Sequence, residues 1–492
     1  MKILVIQLAR LGDILQTIPT LNALQRLNPG AEIHLLVRSR FSAAADLIPH
    51  LSRTWLLDSR TIFAPLFEQG NLRETQVQLR SLLRDLRNEN FGQIINLSFS
   101  PASSYLTTCL ASPGVDVRGY VRHADGFFNP NEDASCYFYA QVGVGKSNRI
   151  HITDLMAQVA GVSLATGDWF TKYKPKKVDA LPEKYVAIHI GASQANKAYS
   201  AENWAKVINK FDAPIVLIGA VGERPLTEEI FQFVGENKKY FITDLVGRTS
   251  FTELFDVIAQ SQILVGADSA PMAMAPFTDT KCVNLSSQTV NFWETGPRVS
   301  GSRVIFSKKI NDIHPGDVIK EIQNTILGAP AGKNVAIATS APDGYIPQFP
   351  TSDDFEWNLV KALYMGGELP VVEDYSTILA MTQLREINQI VLEQTQQILI
   401  KKESSLHADL IARGDEIIAG IKRFAPKILP LISWYEVERT RIPPGKLANI
   451  AERTIKICKG LEHVLSLYLG TLSPQLRRSN ENFALESLPD FE

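Results

Sequence analysis

The stretch Met1-Lys2-Ile3-Leu4-Val5-Ile6-Gln7-Leu8-Ala9-Arg10-Leu11-Gly12-Asp13-Ile14-Leu15-Gln16-Thr17-Ile18-Pro19 decides the fold. Residues 3–8 are apolar apart from Gln7, as in a strand buried on both faces of a parallel sheet. Ile14, Leu15, Ile18, Leu21 and Leu24 then recur at helical spacing. Asn28-Pro29-Gly30 ends that helix and Glu32-Ile33-His34-Leu35-Leu36-Val37 supplies a second strand, so the chain opens β-α-β. The first residues have a superficial likeness to a signal peptide. Their apolar run is short, and Arg10 and Asp13 follow with no small-residue cleavage site, so the expectation is a first strand and a cytoplasmic protein.

The alternation runs to about residue 166, with strands at 93–97 and 115–120 and a closing helix at 150–162. After a polar connector carrying Lys172-Tyr173-Lys174-Pro175-Lys176-Lys177, a second β-α array begins. Its strands fall at 185–190, 215–219, 263–266 and 282–285, its helices at 201–211, 225–234 and 251–260, and another helix opens at Pro271. Two such arrays predict an α/β chain with two Rossmann-like domains, over 1–170 and 180–330, facing a cleft at the carboxyl ends of their strands.

Residues 330–352, rich in Gly, Pro and Ala, read as a linker. Beyond them the pattern is helical: Leu384, Ile387, Val391 and Ile398 form one stripe, and Leu447, Ile450, Thr454, Ile457, Leu461, Val464 and Tyr468 follow steps of three and four. Pro426, Pro430 and Pro443-Pro444-Gly445 break this region into a bundle. A helical extension is expected over 353–472, with Trp434-Tyr435 in its core and a disordered polar tail at 473–492. A length of 492 residues accommodates these three units at about 150 residues each.

Fifty Lys and Arg against 52 Asp and Glu remove any bulk electrostatic case for nucleic acid or an anionic membrane, while leaving room for a local basic cleft. No apolar run approaches the roughly 18 residues needed to span a bilayer. Cys109, Cys136, Cys282 and Cys458 are too scattered for a disulfide framework or a zinc site. Asp353-Asp354 reads as a solvated charge pair, and no metal is expected.

Four loops at strand ends carry the candidate chemistry. Arg10-Leu11-Gly12-Asp13 is a strand-to-helix turn in which Gly12 permits close backbone approach and free N–H groups suit an anion. Asp13 serves either as a helix cap or as a base for a hydroxyl nucleophile. Gly191-Ala192-Ser193-Gln194-Ala195-Asn196-Lys197 offers small residues and an ammonium to a pyrophosphate, although an exposed lysine in a polar loop accounts for it equally. Gly219-Ala220-Val221-Gly222-Glu223 places a carboxylate for ribose hydroxyls, or is a plain surface loop. In Gly266-Ala267-Asp268-Ser269-Ala270-Pro271-Met272, Asp268 and Ser269 either cap a helix or aim its start at a sugar or phosphate.

In order and wording these loops resemble glycosyltransferase family 9, the bacterial heptosyltransferases of lipopolysaccharide core synthesis. The matching residues are Arg10-Leu11-Gly12-Asp13 with Thr17 and Pro19, then Lys197, Tyr199, Ser200 and Glu202, then Gly219 with Glu223. Asp244-Leu245-Val246-Gly247-Arg248-Thr249-Ser250 and Gly266, Asp268, Ser269, Pro271 and Met272 complete the set. The resemblance covers about 1–325. It implies a GT-B fold in which the first domain takes the acceptor and the second a nucleotide-sugar.

By that resemblance Asp13 is the base, Lys197 holds the donor phosphates, Glu223 the ribose and Asp268 the sugar. Ser193 and Ser269 belong to the donor loops, and Arg10 and Gly12 to the phosphate and acceptor loop. The implied reaction moves a heptose-like sugar from an ADP-heptose-type donor to a glycan acceptor with inversion, without an obligatory cofactor or metal. The acceptor is lipopolysaccharide core, another saccharide or a protein, and the site of action is the cytoplasm, with a peripheral place at the inner membrane as the variant reading.

This chain departs from the family in three places. Ala270-Pro271-Met272-Ala273 lacks the family histidine, Leu285-Ser286-Ser287-Gln288 replaces a strand leading into Gly-Pro-Thr, and Ala198 stands where an Arg commonly follows the lysine. The competing expectation is therefore a non-catalytic GT-B scaffold, or a protein-glycosylating relative, that binds partners or itself through 353–472.

Overall fold

The computed structural model describes residues 1–192, 194–333, 336–342, 344–348, 354–372, 374–401 and 404–471. The 473–492 tail, Ser193, Asp353 and the Asp354 side chain lie outside the described residues. The chain divides into two compact units: Met1–Tyr120, Gly143–Gly145 and Arg149–Thr351 form the first, and Val121–Val142, Lys146–Asn148 and Ser352–Glu492 the second.

In the first unit the opening strand β1 (Lys2–Ile6) has Ile3, Leu4, Val5 and Ile6 fully buried, the signature of a central parallel strand. It pairs in parallel with β2 (Glu32–Arg38) on one side. With β3 (Leu51–Leu57), β4 (Gln93–Asn96) and β5 (Asp116–Arg122), the order is β3-β2-β1-β4-β5. The strand order therefore reverses between β1 and β4, and ligand crevices form outside the carboxyl ends at such a point. Gln7, the one polar residue of the opening run, is fully buried. It donates to Thr17 Oγ1 at 3.1 Å and accepts from the Ala9 N–H at 3.2 Å, fixing the turn into the helix Leu11–Leu27.

After the short hairpin strand β6 (Phe128–Pro130), the second array contributes β7 (Val186–His189), β8 (Ile215–Ile218), β9 (Ile242–Asp244), β10 (Ile263–Ala267), β11 (Cys282–Ser287) and β12 (Arg303–Ser307). Two more strands, β13 (Ile337–Ala341) and β14 (Gly344–Pro347), complete the order β14-β13-β12-β11-β10-β7-β8-β9. Strands β7 to β12 run parallel, and β12, β13 and β14 pair antiparallel. Here the order reverses between β10 and β7. The two sheets thus present the same kind of crevice.

The described residues between 336 and 348 are not a linker. Their Ala338 and Tyr345 pack with Phe292 and Val304, so the second sheet continues through the hairpin to Pro347. The expected boundary at residue 330 is corrected accordingly. Buried Arg303 pairs with fully buried Glu321, whose other oxygen accepts from Asn324 and from the Gly332 N–H, each at 3.0 Å.

In the second unit, helices Asp354–Tyr364, Tyr375–Lys401, Ser404–Phe424, Leu429–Thr440 and Leu447–Thr471 bury Leu359, Leu384, Val391, Ile418, Tyr435, Leu461 and Leu465 in one core. The last helix turns Ala451, Cys458 and Leu465 inward, while Leu447, expected on the seam, is half exposed. The helix Asp133–Gln141 belongs to this unit. Its Cys136 and Ala140 pack on Val437, and Gln141 donates to the Pro430 carbonyl at 3.0 Å. Residues 121–142 were expected inside the first Rossmann-like domain, and the structure corrects that. Among the described residues no helix is long and apolar enough to cross a membrane.

Candidate active site

The loops that follow β1, β7, β8 and β10 line one cleft of about 680 Å³ inside the first unit. It includes Arg10, Gly12, Asp13, Lys197, Glu223, Asp268 and Ser269, so all the sequence-derived site residues but Ser193 meet there, and Ser193 lies outside the described residues. Helix Leu11–Leu27 touches the start of the five-residue helix Ala270–Met274. That closeness lets the Asp268 charge act on Asp13.

Asp13 occupies the first helical turn, and one of its oxygens accepts the Arg10 N–H at 2.9 Å. The cap reading is therefore correct for that oxygen, while the carboxylate also lines the cleft. Burial pushes this carboxyl above the usual carboxylate range, and Asp268 adds to the rise. The Arg10 N–H and guanidinium oppose it. A Cβ at Gly12 would meet only the Ala270 Cα, at 3.9 Å. Packing thus does not demand glycine there, and the open backbone faces the cleft.

In the same lining, Lys197 Nζ stands 4.0 Å from Asp268 Oδ2, with both side chains largely buried. Asp268 Oδ1 accepts from Thr295 Oγ1 at 2.8 Å, which fixes the carboxylate. Burial raises the Asp268 carboxyl, and Thr295, Lys197 and Arg10 counter the rise. The helix after Ser269 is too short to act as an anion-binding dipole, so the expectation that it aims its start at a phosphate is dropped.

Glu223 is wedged between two backbone segments. A Cβ at Gly191 would overlap its carboxylate, and one at Gly219 would come within 2.5 Å of Oε2. The Ala220 N–H donates to Oε2 at 2.7 Å. The Asp244–Ser250 motif supports this turn from behind. Gly247 adopts φ +69°, donates to the Gly219 carbonyl at 2.9 Å and leaves room for Val221, where a Cβ would sit 2.9 Å from the Val221 Cα. Burial raises the Glu223 carboxyl against the Ala220 N–H. Tyr199 is buried and donates to the Ile313 carbonyl at 2.7 Å, and Ser200 caps the next helix. Both are structural.

Several lining residues escaped the sequence reading. His189 reads as one more position of a buried strand. Thr295, Asn291 and Glu294 come from the short helix Phe292–Thr295 and its start, which no motif marks. Glu294 accepts from Asn291 Nδ2 at 3.0 Å and from the Gly143 N–H at 2.9 Å, which ties Gly143, itself in the lining, to that short helix. Arg40 and Phe41 follow β2, with the guanidinium 4.4 Å from the ring centroid. Ala273, noted in the sequence as a departure, lines the cleft with its methyl group. Chemically, the site brings a carboxylate of raised basicity and an ammonium into one cleft, a pairing suited to deprotonating an alcohol and stabilising an anionic leaving group. Among the described residues no group of three or more His, Cys, Asp and Glu could hold a metal ion.

Residues 79–311 match glycosyltransferase family 9 (heptosyltransferase). The chain is 25% identical over 294 residues to lipopolysaccharide heptosyltransferase 3 of Escherichia coli strain K12, covering 57% of this chain and 81% of that protein. A second Escherichia coli protein of that name is 23% identical over 292 residues, with 57% and 82% covered. Among solved structures, the glycosyl transferase family 9 from Veillonella parvula DSM 2008 superposes with a TM-score of 0.51 at 17% identity, covering 67% of this chain and 97% of that one. That likeness is one of fold.

Proposed function

We propose that this chain, a glycosyltransferase with a family 9 region at residues 79–311, moves a heptose-like sugar from a nucleoside diphosphate donor to a glycan acceptor with inversion at the anomeric carbon. The observation that carries the proposal is the meeting of Asp13 and Lys197 in one cleft. The acceptor hydroxyl gives its proton to the Asp13 carboxylate as its oxygen attacks the anomeric carbon. The bond to the diphosphate breaks on the opposite face, and Lys197 stabilises the departing charge. Glu223 takes the ribose hydroxyls, and Asp268, oriented by Thr295, takes the sugar. Ser269 and Ser193 complete the donor loops, and Arg10 and Gly12 shape the acceptor side. A heptose-type sugar and a lipopolysaccharide acceptor fit the relatives' names; in this proposal the donor nucleotide is ADP, the acceptor is the core and the place of action is the cytoplasmic side of the inner membrane. The helical unit is assigned to recognition of a large acceptor or a protein partner.

One observation favours a second reading. With Ala273 in the donor wall and Ser286-Ser287 ending β11, a scaffold that binds a nucleotide-sugar without transferring it also fits the cleft. Incubating the full chain with a panel of nucleotide-sugars and core oligosaccharides separates the two. Release of a nucleoside diphosphate that depends on the acceptor supports transfer, and binding without turnover of any donor supports the scaffold.

A further inference from the structure

Gln16 lies one turn beyond Asp13 on the helix Leu11–Leu27, so the two side chains share a face. It lines the cleft and is 7% exposed, yet no hydrogen bond among the described residues ends on its amide. Its neighbours on the helix are committed. Asp13 accepts the Arg10 N–H, and Thr17 Oγ1 donates to the Asp13 carbonyl at 2.7 Å. A largely buried amide without partners costs free energy that an apolar side chain of the same length would not. Packing alone therefore does not account for glutamine at this position.

The same side chain borders a second space. A recess of about 10 Å³ adjoins the cleft, and Gln16 and Ala273 line both. That volume holds about one water-sized oxygen. Two polar side chains of the recess are already engaged. His151 is buried, its Nε2–H donating to the Gly296 carbonyl at 3.1 Å and its Nδ1 accepting the Thr153 N–H at 3.2 Å. Arg298 donates to Asp154 at 2.7 Å. The Gln16 amide and the Thr153 hydroxyl, by contrast, have no hydrogen-bond partner among the described residues. Ala273 contributes only a methyl group to the boundary between cleft and recess, where a larger side chain would fill the space.

We propose that Gln16 is a specificity-determining residue whose amide binds one hydroxyl of the sugar held at the reaction centre, a hydroxyl that enters the recess past Ala273. The amide carries donors and an acceptor, so it satisfies a hydroxyl in either sense. Residues three apart on a helix stand about 5–6 Å apart at Cβ. A sugar whose reacting atom faces Asp13 thus brings a hydroxyl one or two ring carbons away to Gln16. That hydroxyl belongs to the donor sugar or to the acceptor, and the chemistry is the same for both. The inference rests on the sugar-transfer reading of this cleft and adds a residue and a selectivity to it. A sugar lacking the hydroxyl leaves the amide unpaired and is disfavoured.

The test is calorimetry on the full-length protein with ADP, ADP-heptose and a core oligosaccharide, using wild type, Gln16→Met and Ala273→Val, beside thermal melting of each. Met keeps the length of the side chain without its amide, and Val narrows the recess. Gln16→Met is expected to bind ADP as wild type does and to melt no lower, because the amide it loses has no partner in the protein. It should lose roughly three- to tenfold in affinity for a sugar ligand. Loss for ADP-heptose assigns the hydroxyl to the donor, and loss for the oligosaccharide assigns it to the acceptor. Ala273→Val should weaken the same ligand, and full affinity there would overturn the placement in the recess. If Gln16→Met binds both sugar ligands as wild type does, weakens ADP by the same factor, or melts several degrees lower, the amide has no selective role, while the roles of Asp13 and Lys197 stand. If wild type binds none of the three, the transfer reading falls and this inference with it.

Discussion

Replacing Lys197 by Ala puts the donor half of the cleft under direct test. The lining carries three cations, Arg10, Arg40 and Lys197, against four acids, Asp13, Glu223, Asp268 and Glu294. Among the described residues Lys197 is the cation that comes within 4.0 Å of Asp268, and its side chain is 13% exposed, so water screens it little. Loss of one charge-assisted hydrogen bond to a phosphate is worth about 1.5–3 kcal/mol, or about 10- to 150-fold in affinity. The substitution also strips Asp268 of a counter-charge, so its carboxyl, already raised by burial, rises further. As pH falls through that higher value Asp268 becomes neutral and repels the diphosphate less, so the deficit of the variant should shrink toward acid pH. Calorimetric titration of ADP into wild type, Lys197→Ala and Lys197→Arg at two pH values reads both effects, with Arg recovering part of the loss. Equal affinity of wild type and Lys197→Ala, within about twofold, would refute the placement of the diphosphate against this ammonium.

Gly191→Ala should weaken ADP binding and lower stability by about 1–3 kcal/mol, the usual cost of overpacking, because the new methyl overlaps the Glu223 carboxylate; unchanged calorimetry and melting would contradict the wedge. Glu321→Gln should cost about 3–5 kcal/mol in urea unfolding by stranding the buried Arg303 guanidinium, and a loss under about 1 kcal/mol would show that the pair is dispensable. A chain ending at residue 335 should aggregate, since it loses β13 and β14 from the edge of β12 and uncovers Cys136 and Ala140. A monodisperse fragment by size-exclusion chromatography would show that neither packing matters.

What the sequence makes legible follows from how local each signal is. Strand β1 and the helix after it announce themselves because every side chain from Ile3 to Ile6 is buried and the next apolar residues keep a helical period. The four loops were readable because strand ends in such folds are where ligands bind. The β13–β14 hairpin was not, since Gly, Pro and Ala dominate it and its justification is distant: Tyr345 stacks edge-on against Phe292 at 5.7 Å. Residues 121–142 look like any part of a Rossmann-like array, and contacts distant in sequence, such as the hydrogen bond from Gln141 to Pro430 and the packing on Val437, reveal their true partners. His189 has no motif of its own. Its place in the cleft comes from the register that sets it beside Ser269 and Glu223. Thr295 likewise becomes legible only once Asp268 stands beside it.

The most direct test of sugar transfer at this cleft is the rate of ADP release from ADP-heptose by wild type and Asp13→Asn in the presence of a core oligosaccharide, followed across pH. The account predicts that Asn binds ADP as wild type does and releases it about 10²- to 10⁴-fold more slowly, the range of a lost general base. Wild-type rates should fall as pH drops through a pKa above that of an ordinary aspartate, because the base works only when ionised and burial has raised it. An Asn variant within a few-fold of wild type, showing the same acid limb, would contradict the role of Asp13 and with it the mechanism.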